Sequence, residues 1–268
     1  MNPLWIRQVA AILRLELRKN LFGMRAFPVW LLAGLPLFVV LLMFVVFRVT
    51  APPDTLSSDA GVELFFAVVY QFILRSVLYL GCVWIFMNLF RGEVLDRSLH
   101  FYFLSPVRRE VLVAGKFIAG WISATLLYAS TTAGCYLLLT GGFAATPFGV
   151  RGLGHLFAYL AVTAVACLGY GAVFLAIGLF LRNPVVPALA IFAWEFANPF
   201  LPALLKKISV IFYLNSMLPV HVAEGPLAVL APPVSPWLGV PGLMLFTAAV
   251  LFLSGRRIRR MEVSYGTD

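Results

Sequence analysis

Long apolar segments almost free of charge constrain this chain more than any other feature. Residues 29–47 contain no charged side chain, and residues 64–90 contain one, Arg75. A helix needs roughly 20 residues to cross about 30 Å of hydrocarbon, and both segments reach that length. Apolar residue types make up 62% of the 268 residues and charged types 12%, too few charges for a water-soluble surface. The sequence therefore predicts an all-α polytopic membrane protein with a single transmembrane domain over residues 1–268.

Six segments qualify as transmembrane helices because they are long, apolar and lack the alternation of a barrel wall. They span about residues 29–47, 64–90, 117–139, 156–181, 185–205 and 234–253. Between the fifth and sixth lies an apolar stretch, residues 208–222, which is too short to cross the bilayer and is followed by several prolines. We expect it to form a short re-entrant or interfacial element. The alternative is a small hydrophobic cap on the outer side.

The basic residues are sorted between the two sides of the predicted membrane. Of the 20 Lys and Arg residues, 15 fall in the N-terminal segment, the loop after the second span, the loop after the fourth span and the C-terminal tail. The opposite side holds four, and Arg75 lies within a span. The positive-inside rule therefore places both termini in the cytoplasm. Because the net charge of +9 is explained by this sorting, nucleic-acid binding is not expected.

The N-terminal segment has the pattern of an amphipathic helix. Four arginines spaced 7, 4 and 7 residues apart fall within roughly 20° of one line at about 100° per residue. They are Arg7, Arg14, Arg18 and Arg25. We expect this helix to lie at the cytoplasmic interface with its arginines on lipid headgroup phosphates. The alternative is a positively charged anchor with no further role.

The cytoplasmic loop after the second span, residues 91–110, has the features of a docking element. On a helix, Leu95, Leu99 and Tyr102 share one face. The opposite face carries Glu93, Asp96, Arg97 and His100. Pro106 ends the helix, because a proline disfavours helical backbone at the residue before it. An amphipathic, aromatic-rich and sharply terminated helix is typical of a binding site for a cytosolic partner, and the alternative is a solvated connecting turn.

The sequence has no enzyme motif, so we expect a non-catalytic chain without metal or cofactor. The phosphate-loop, nucleophile-elbow and zinc-protease patterns are missing, and the three cysteines show no metal-like spacing. The intramembrane charges Arg75 and Glu195 are the best candidates for function, since a charge in the bilayer is costly unless it is paired or hydrated. They could face a shared polar cavity as a pair or as a substrate contact. A structural bridge between helices explains them equally well.

The segment from Glu93 to Lys116 resembles the region between the second and third helices of ABC type-2 transporter permeases. The residues that carry the resemblance are Glu93, Ser98-Leu99, Ser105-Pro106-Val107, Arg109 and Gly115-Lys116. It implies the membrane subunit of an ATP-driven transporter, usually an exporter in the bacterial plasma membrane. It also implies a dimer of permeases with two ATP-binding cassette ATPase subunits, so that ATP binds to the partner chain and not to this one.

The resemblance also implies roles for particular residues. The loop helix would be the coupling helix that docks on the ATPase, with Glu93, Asp96, Leu99, Tyr102, Pro106 and Arg109 as its contact residues. The second and fifth helices would line the pathway, which places Arg75 and Glu195 beside it by analogy. Two alternatives stay open: a secondary transporter or channel that uses these two residues as an ion relay, and an intramembrane enzyme. The substrate is not indicated.

Overall fold

The computed structural model describes residues 3–50, 59–95, 109–143, 152–181, 183–222 and 234–259, and these residues form helices and turns without a β-strand. The α-helices are α1 Pro3–Phe22, α2 Phe27–Thr50, α3 Asp59–Phe72, α4 Tyr79–Leu95, α5 Arg109–Phe143, α6 Gly152–Phe180, α7 Val185–Ala197, α8 Ala203–Lys206, α9 Val210–Ser216 and α10 Pro236–Arg259. A π-helical turn, Ile73–Leu78, joins α3 to α4 without a break. The all-helical prediction is therefore confirmed for the described residues.

Five helical segments of the described chain are long and apolar enough to cross a membrane. They are Phe27–Thr50, Gly61–Gly92, Arg109–Gly142, Gly152–Phe180 and Pro236–Arg259. They agree with five of the six predicted spans. The third is longer than predicted and begins at Arg109 rather than Phe117, since its first turns carry charged residues that hydropathy does not recognise as part of a span.

The predicted fifth span, residues 185–205, is not one continuous helix. Helix α7 ends at Ala197, a 3₁₀ turn covers Asn198–Phe200, and α8 begins only at Ala203. Pro199 and Pro202 explain the break, because proline lacks the N–H that would continue the helical hydrogen bonding. The apolar helical stretch Val185–Phe200 is therefore shorter than the other five.

Helix α6 is central, and it packs against α4, α5 and α10. Small residues allow the close approach of α4: a Cβ atom on Gly178 would lie 3.0 Å from the Cα atom of Met87 and 3.1 Å from its carbonyl oxygen. A Cβ atom on Gly171 would overlap the ring of Phe86. Close backbone contact through small residues is a general way for helices to associate in membranes, where lipid tails are as apolar as the side chains.

The C-terminal ends of α4, α6 and α10 and the start of α5 lie together at one end of the bundle. We call it the basic end because Arg109, Lys116 and Arg257 lie there. There Lys116 of α5 donates to the carbonyl of Leu89 in α4, with 3.1 Å between nitrogen and oxygen. The Arg257 guanidinium of α10 lies 6.0 Å from the ring centroid of Phe180 in α6. Helix α1 packs against α5. The loop between α4 and α5 must therefore begin and end at the basic end.

We expect Gly178→Ala to destabilise the bundle, because the added methyl group meets the backbone of Met87. Overpacking of this kind costs about 1–3 kcal/mol, measured as a lower thermal unfolding midpoint in mild detergent. Gly154→Ala on the same helix is the matched control, since a Cβ atom there has no heavy atom within 4 Å. Equal midpoints for the two variants would show that α4 and α6 are not in backbone contact.

Candidate functional site

The predicted docking loop is described only at its two ends. Glu93 lies in the last turn of α4, where the backbone but not its side chain is described, and Arg109 opens α5. The other predicted docking residues lie outside the described residues; they are Asp96, Leu99, Tyr102 and Pro106. The docking helix itself therefore stays a prediction. The structure describes the two helices to which the loop is attached, α4 and α5.

Helix α1 carries two of the predicted headgroup arginines on an exposed face and an acidic residue on a buried one. Arg14 and Arg18 are exposed, and the side chains of Arg7 and Arg25 are outside the described set. Glu16 is only 1% exposed. The face of α1 that packs against the bundle therefore carries a buried acidic residue, Glu16.

Glu16 and Lys116 form a buried ion pair that joins α1 to α5. The Lys116 Nζ atom lies 2.6 Å from Oε1 of Glu16, and the side chains of Lys116 and Glu16 are 0% and 1% exposed. Lys116 Nζ also donates to the Leu89 carbonyl of α4 and lies 5.5 Å from the centroid of the Phe90 ring. One ammonium group therefore connects three helices. Because a buried charge without a partner is strongly destabilising, this pair dictates how α1 sits on the bundle.

Gly115 makes this contact possible. A Cβ atom at Gly115 would lie 3.2 Å from Cγ2 of Ile12, so α1 can approach α5 closely only where the side chain is missing. Ile12 and Glu16 are four residues apart and lie on the same face of α1. Two successive turns of α1 therefore pack against Gly115 and Lys116. The sequence indicated this pair only as part of a family resemblance.

Sequence reasoning missed the role of Glu16, although the sequence carries a signal for it. At about 100° per residue, Glu16 lies roughly 180° from the line of arginines on α1. An acidic residue in the middle of the apolar face of an amphipathic helix needs a buried partner. The partner, Lys116, is 100 residues away, so spacing alone could not identify it.

A second set of contacts joins the start of α5 to the end of α10. Arg109 Nη1 donates to the carbonyl oxygens of Ile258 and Arg259, at 3.2 and 3.1 Å. These carbonyls belong to the last turn of α10 and lack partners within their own helix. Glu110 completes the connection through an ion pair with the Arg259 guanidinium. Both sets of contacts lie within the first eight residues of α5, next to the predicted docking loop.

Deeper in the bundle, Glu195 of α7 accepts hydrogen bonds from four donors, although it is only 4% exposed. The hydroxyl groups of Tyr170 and Ser209 donate to Oε2 at 3.2 and 2.7 Å. The backbone N–H groups of Val210 and Ile211 donate at 2.9 Å each, to Oε1 and Oε2 respectively. The carboxylate thereby caps the first turn of α9, where negative charge is favoured.

Arg75 lies in the π-helical turn between α3 and α4 and is half-buried. Its Nε atom donates to Oε1 of Gln71 at 3.2 Å, and Nε2 of Gln71 donates to Oδ1 of Asn215 at 3.0 Å. Asn215 is in the last turn of α9. π-Helical turns within longer helices are frequent at functional sites.

The structure thus relates the two charges that the sequence predicts to be intramembrane through α9: Glu195 binds its first turn, and Arg75 reaches its last turn through Gln71. Tyr170, which donates to Glu195, lies edge-on against Tyr79 with 5.2 Å between the ring centroids. The contacts of Glu195 favour the structural-bridge interpretation for that residue. The role of Arg75 and Glu195 in a substrate pathway stays a prediction.

We expect Glu195→Gln to destabilise the protein. The amide nitrogen of glutamine cannot accept a hydrogen bond, so at least one N–H of Val210 or Ile211 loses its partner. An unsatisfied buried donor costs about 1–3 kcal/mol, measured as a lower thermal midpoint of the purified chain. Ser209→Ala, which leaves three donors on the carboxylate, should cost less. Unchanged stability of Glu195→Gln together with lost transport would instead assign Glu195 to the pathway.

We expect Glu16→Leu and Lys116→Met each to lower stability by about 3–5 kcal/mol, because each leaves the partner charge buried without its counter-charge. The double variant Glu16→Leu/Lys116→Met removes both charges and should recover most of that loss. The measurement is a double-mutant cycle on thermal unfolding, with Arg14→Gln on the exposed face of α1 as the control. Additive losses in the double variant would contradict a direct pair.

Comparison with known proteins does not assign the chain to a family. No protein-family model, no curated protein and no solved structure matches it. The function therefore has to be argued from the residues and contacts of the chain itself.

Proposed function

We propose that this chain is the membrane subunit of an ATP-driven transporter, an exporter of the ABC type-2 permease class. In this proposal two permease protomers form the substrate pathway, and a separate ATP-binding cassette subunit docks on the loop between α4 and α5. The observation that carries the proposal is the bracing of that loop: the buried Lys116 ammonium attaches the start of α5 to α1 and α4, and the more exposed contacts of Arg109 and Glu110 attach it to the end of α10. The chain itself needs no catalytic residue.

The bracing supports a mechanical role for the loop. A docked ATPase can move a membrane bundle only if the element that it contacts is rigidly attached to the spans. Here Lys116 joins α5 to α1 and α4, and Arg109 with Glu110 joins α5 to α10. Movement of the loop would therefore displace α1, α4, α5 and α10 together. A connecting turn without a partner would not require such attachments at its base.

The proposal includes the six-span topology. The stretch Val185–Phe200 would be the fifth span, at 16 residues about 24 Å long and so somewhat short of the roughly 30 Å hydrocarbon thickness. Its shortness is compatible with α9 as a re-entrant element, since α9 packs against α6 and α10 and is capped by a residue of α7. Both termini would be cytoplasmic, in a bacterial plasma membrane, with the arginines of α1 at the lipid headgroups.

In the transport cycle, ATP would close the ATPase dimer, and the docking loop would pass the movement to the bundle, opening the pathway on the other side. Arg75 and the helix α9 would lie beside this pathway. Glu195 would keep α9 attached to α6 and α7 while the helices move. The alternative function, an ion relay through Arg75 and Glu195, is less well supported, because Glu195 is occupied by four hydrogen-bond donors.

The test is co-purification of the full chain with a phosphate-loop ATPase encoded next to it. We expect a stable complex with wild type and its loss with Leu99→Asp, which places a charge on the apolar face of the predicted docking helix. Leu153→Asp is the control, because Leu153 is exposed in the first turn of α6, where an acidic residue is compatible with the helix dipole.

Two results would contradict the proposal. An ATPase that remains bound to Leu99→Asp would remove the docking assignment. Transport of a substrate by the purified chain alone in vesicles, driven by a proton or sodium gradient, would identify a secondary transporter instead.

A further inference from the structure

We propose that the basic end of the bundle carries a binding site for an anionic phospholipid, formed between α6 and α10. The structure has a cleft of about 650 Å³ there, open to the surroundings and lined by Phe180, Leu253, Arg256, Arg257 and Arg259. It is distinct from the arginine face of α1. The inference requires a membrane-embedded chain but not the transport function proposed above.

Two guanidinium groups of the cleft are held by aromatic rings and not by acids. The Arg256 guanidinium lies 4.4 Å from the ring centroid of Phe252, and that of Arg257 lies 6.0 Å from the centroid of Phe180. Within the described part of the chain, neither has an acidic partner within 4.0 Å, whereas Arg259 is paired with Glu110. Among the described residues, no carboxylate pairs with the two positive charges of Arg256 and Arg257.

A cation–π contact with a ring face does not consume the N–H donors of a guanidinium. Its N–H donors lie in the plane of the group and form a fork that matches two oxygens of a phosphate. The aromatic ring restricts the arginine without using these donors. Arg256 and Arg257 are exposed and line the same cleft, so both side chains can reach one phosphate group there. The chemistry that they recognise is a phosphate with net negative charge.

The walls of the cleft indicate that this phosphate belongs to a lipid. Phe180 and Leu253, which line the cleft, are 44% and 54% exposed, and the neighbouring Phe252 is 57% exposed. The two α10 residues continue into the exposed apolar surface of that helix, which includes Leu245 and Phe246. Arg256 follows Phe252 by four residues, about 6 Å along the axis. Apolar surface for an acyl chain thus adjoins positive charge for a headgroup, at the end that the charge distribution places in the cytoplasmic leaflet.

The test compares binding of phosphatidylglycerol and phosphatidylcholine to the full chain purified in mild detergent. Retained lipid is measured by native mass spectrometry, and the thermal midpoint is recorded during lipid titration. We expect wild type to prefer phosphatidylglycerol. A basic residue near an anionic lipid surface contributes about five-fold in affinity, so Arg256→Gln/Arg257→Gln should weaken binding roughly thirty-fold. Arg256→Lys/Arg257→Lys should retain part of the preference, since it keeps the charge and loses the fork.

Arg48→Gln is the matched control. Arg48 is also exposed at the end of a span, and its guanidinium lies 5.4 Å from the ring of Phe44, four residues earlier, as Arg256 lies over Phe252. It belongs to the opposite end of the bundle, so we expect its substitution to change phosphatidylglycerol affinity less than about two-fold. Equal losses for the two glutamine variants, or equal binding of both lipids to wild type, would overturn the proposal.

A soluble phosphate compound is the remaining source of the same chemistry. Glycerol 3-phosphate added in excess should not displace phosphatidylglycerol, because it cannot occupy the apolar walls. Full displacement would assign the cleft to a soluble phosphate and contradict a lipid site. Size-exclusion profiles identify any variant that does not fold. The lysine variant then decides the outcome, because loss of the whole lipid preference despite retained charge and fold would also contradict the proposal.

Discussion

The structure depends on one constraint: a charge buried among apolar helices has to find its hydrogen-bonding partners inside the bundle. Water cannot supply them there, and an unpaired buried charge is costly enough to unfold a marginally stable protein. Two sites among the described residues show how the chain satisfies this requirement. Lys116 receives a carboxylate and a backbone carbonyl, and Glu195 receives two hydroxyl groups and two backbone N–H groups.

These contacts determine how elements far apart in sequence are arranged. Helix α1 is held on α5 because Glu16 reaches Lys116, and α9 is held against α6 and α7 because Glu195 caps its first turn. Glycines also influence this arrangement. Gly115 and Gly178 have no side chain at points where two helices come close together. Ionic contacts thus select the partner of each helix, and small residues set its distance.

The two charged clusters differ in what they offer to function. The contacts around Lys116 and Arg109 lie at the base of the loop between α4 and α5, where a rigid attachment would have mechanical value in the proposed transporter. The contacts around Glu195 and Arg75 lie deeper in the bundle and converge on α9, a helix of seven residues. A bundle braced at one end, with a short helix held against α6 and α7, is compatible with the alternating access that we propose. The resemblance to a permease and these contacts support the same proposal, and they share Arg109 and Gly115-Lys116.

Much of the fold could be predicted from hydropathy, because the length of an apolar run is a local property of the sequence. Five spans were found in this way, with a late start for α5, whose first turns are charged. The fifth predicted span shows the limit of the method: composition continued to residue 205, but Pro199 and Pro202 end the helix well before that. For the candidate site, the sequence identified Arg75, Glu195 and the loop before Arg109 as candidates for function. It did not indicate which groups they contact.

By itself, the sequence determined the all-helical fold class and the approximate position of most spans. These properties follow from local composition and the thickness of a bilayer. Only the tertiary structure decided that Glu16 belongs to Lys116, that Arg109 closes the end of α10, and that Glu195 and Arg75 meet at α9. These partners are separated by between 14 and 150 residues, except where Arg75 contacts Gln71. Helical periodicity identifies the face on which a residue lies, and packing alone determines which helix covers that face.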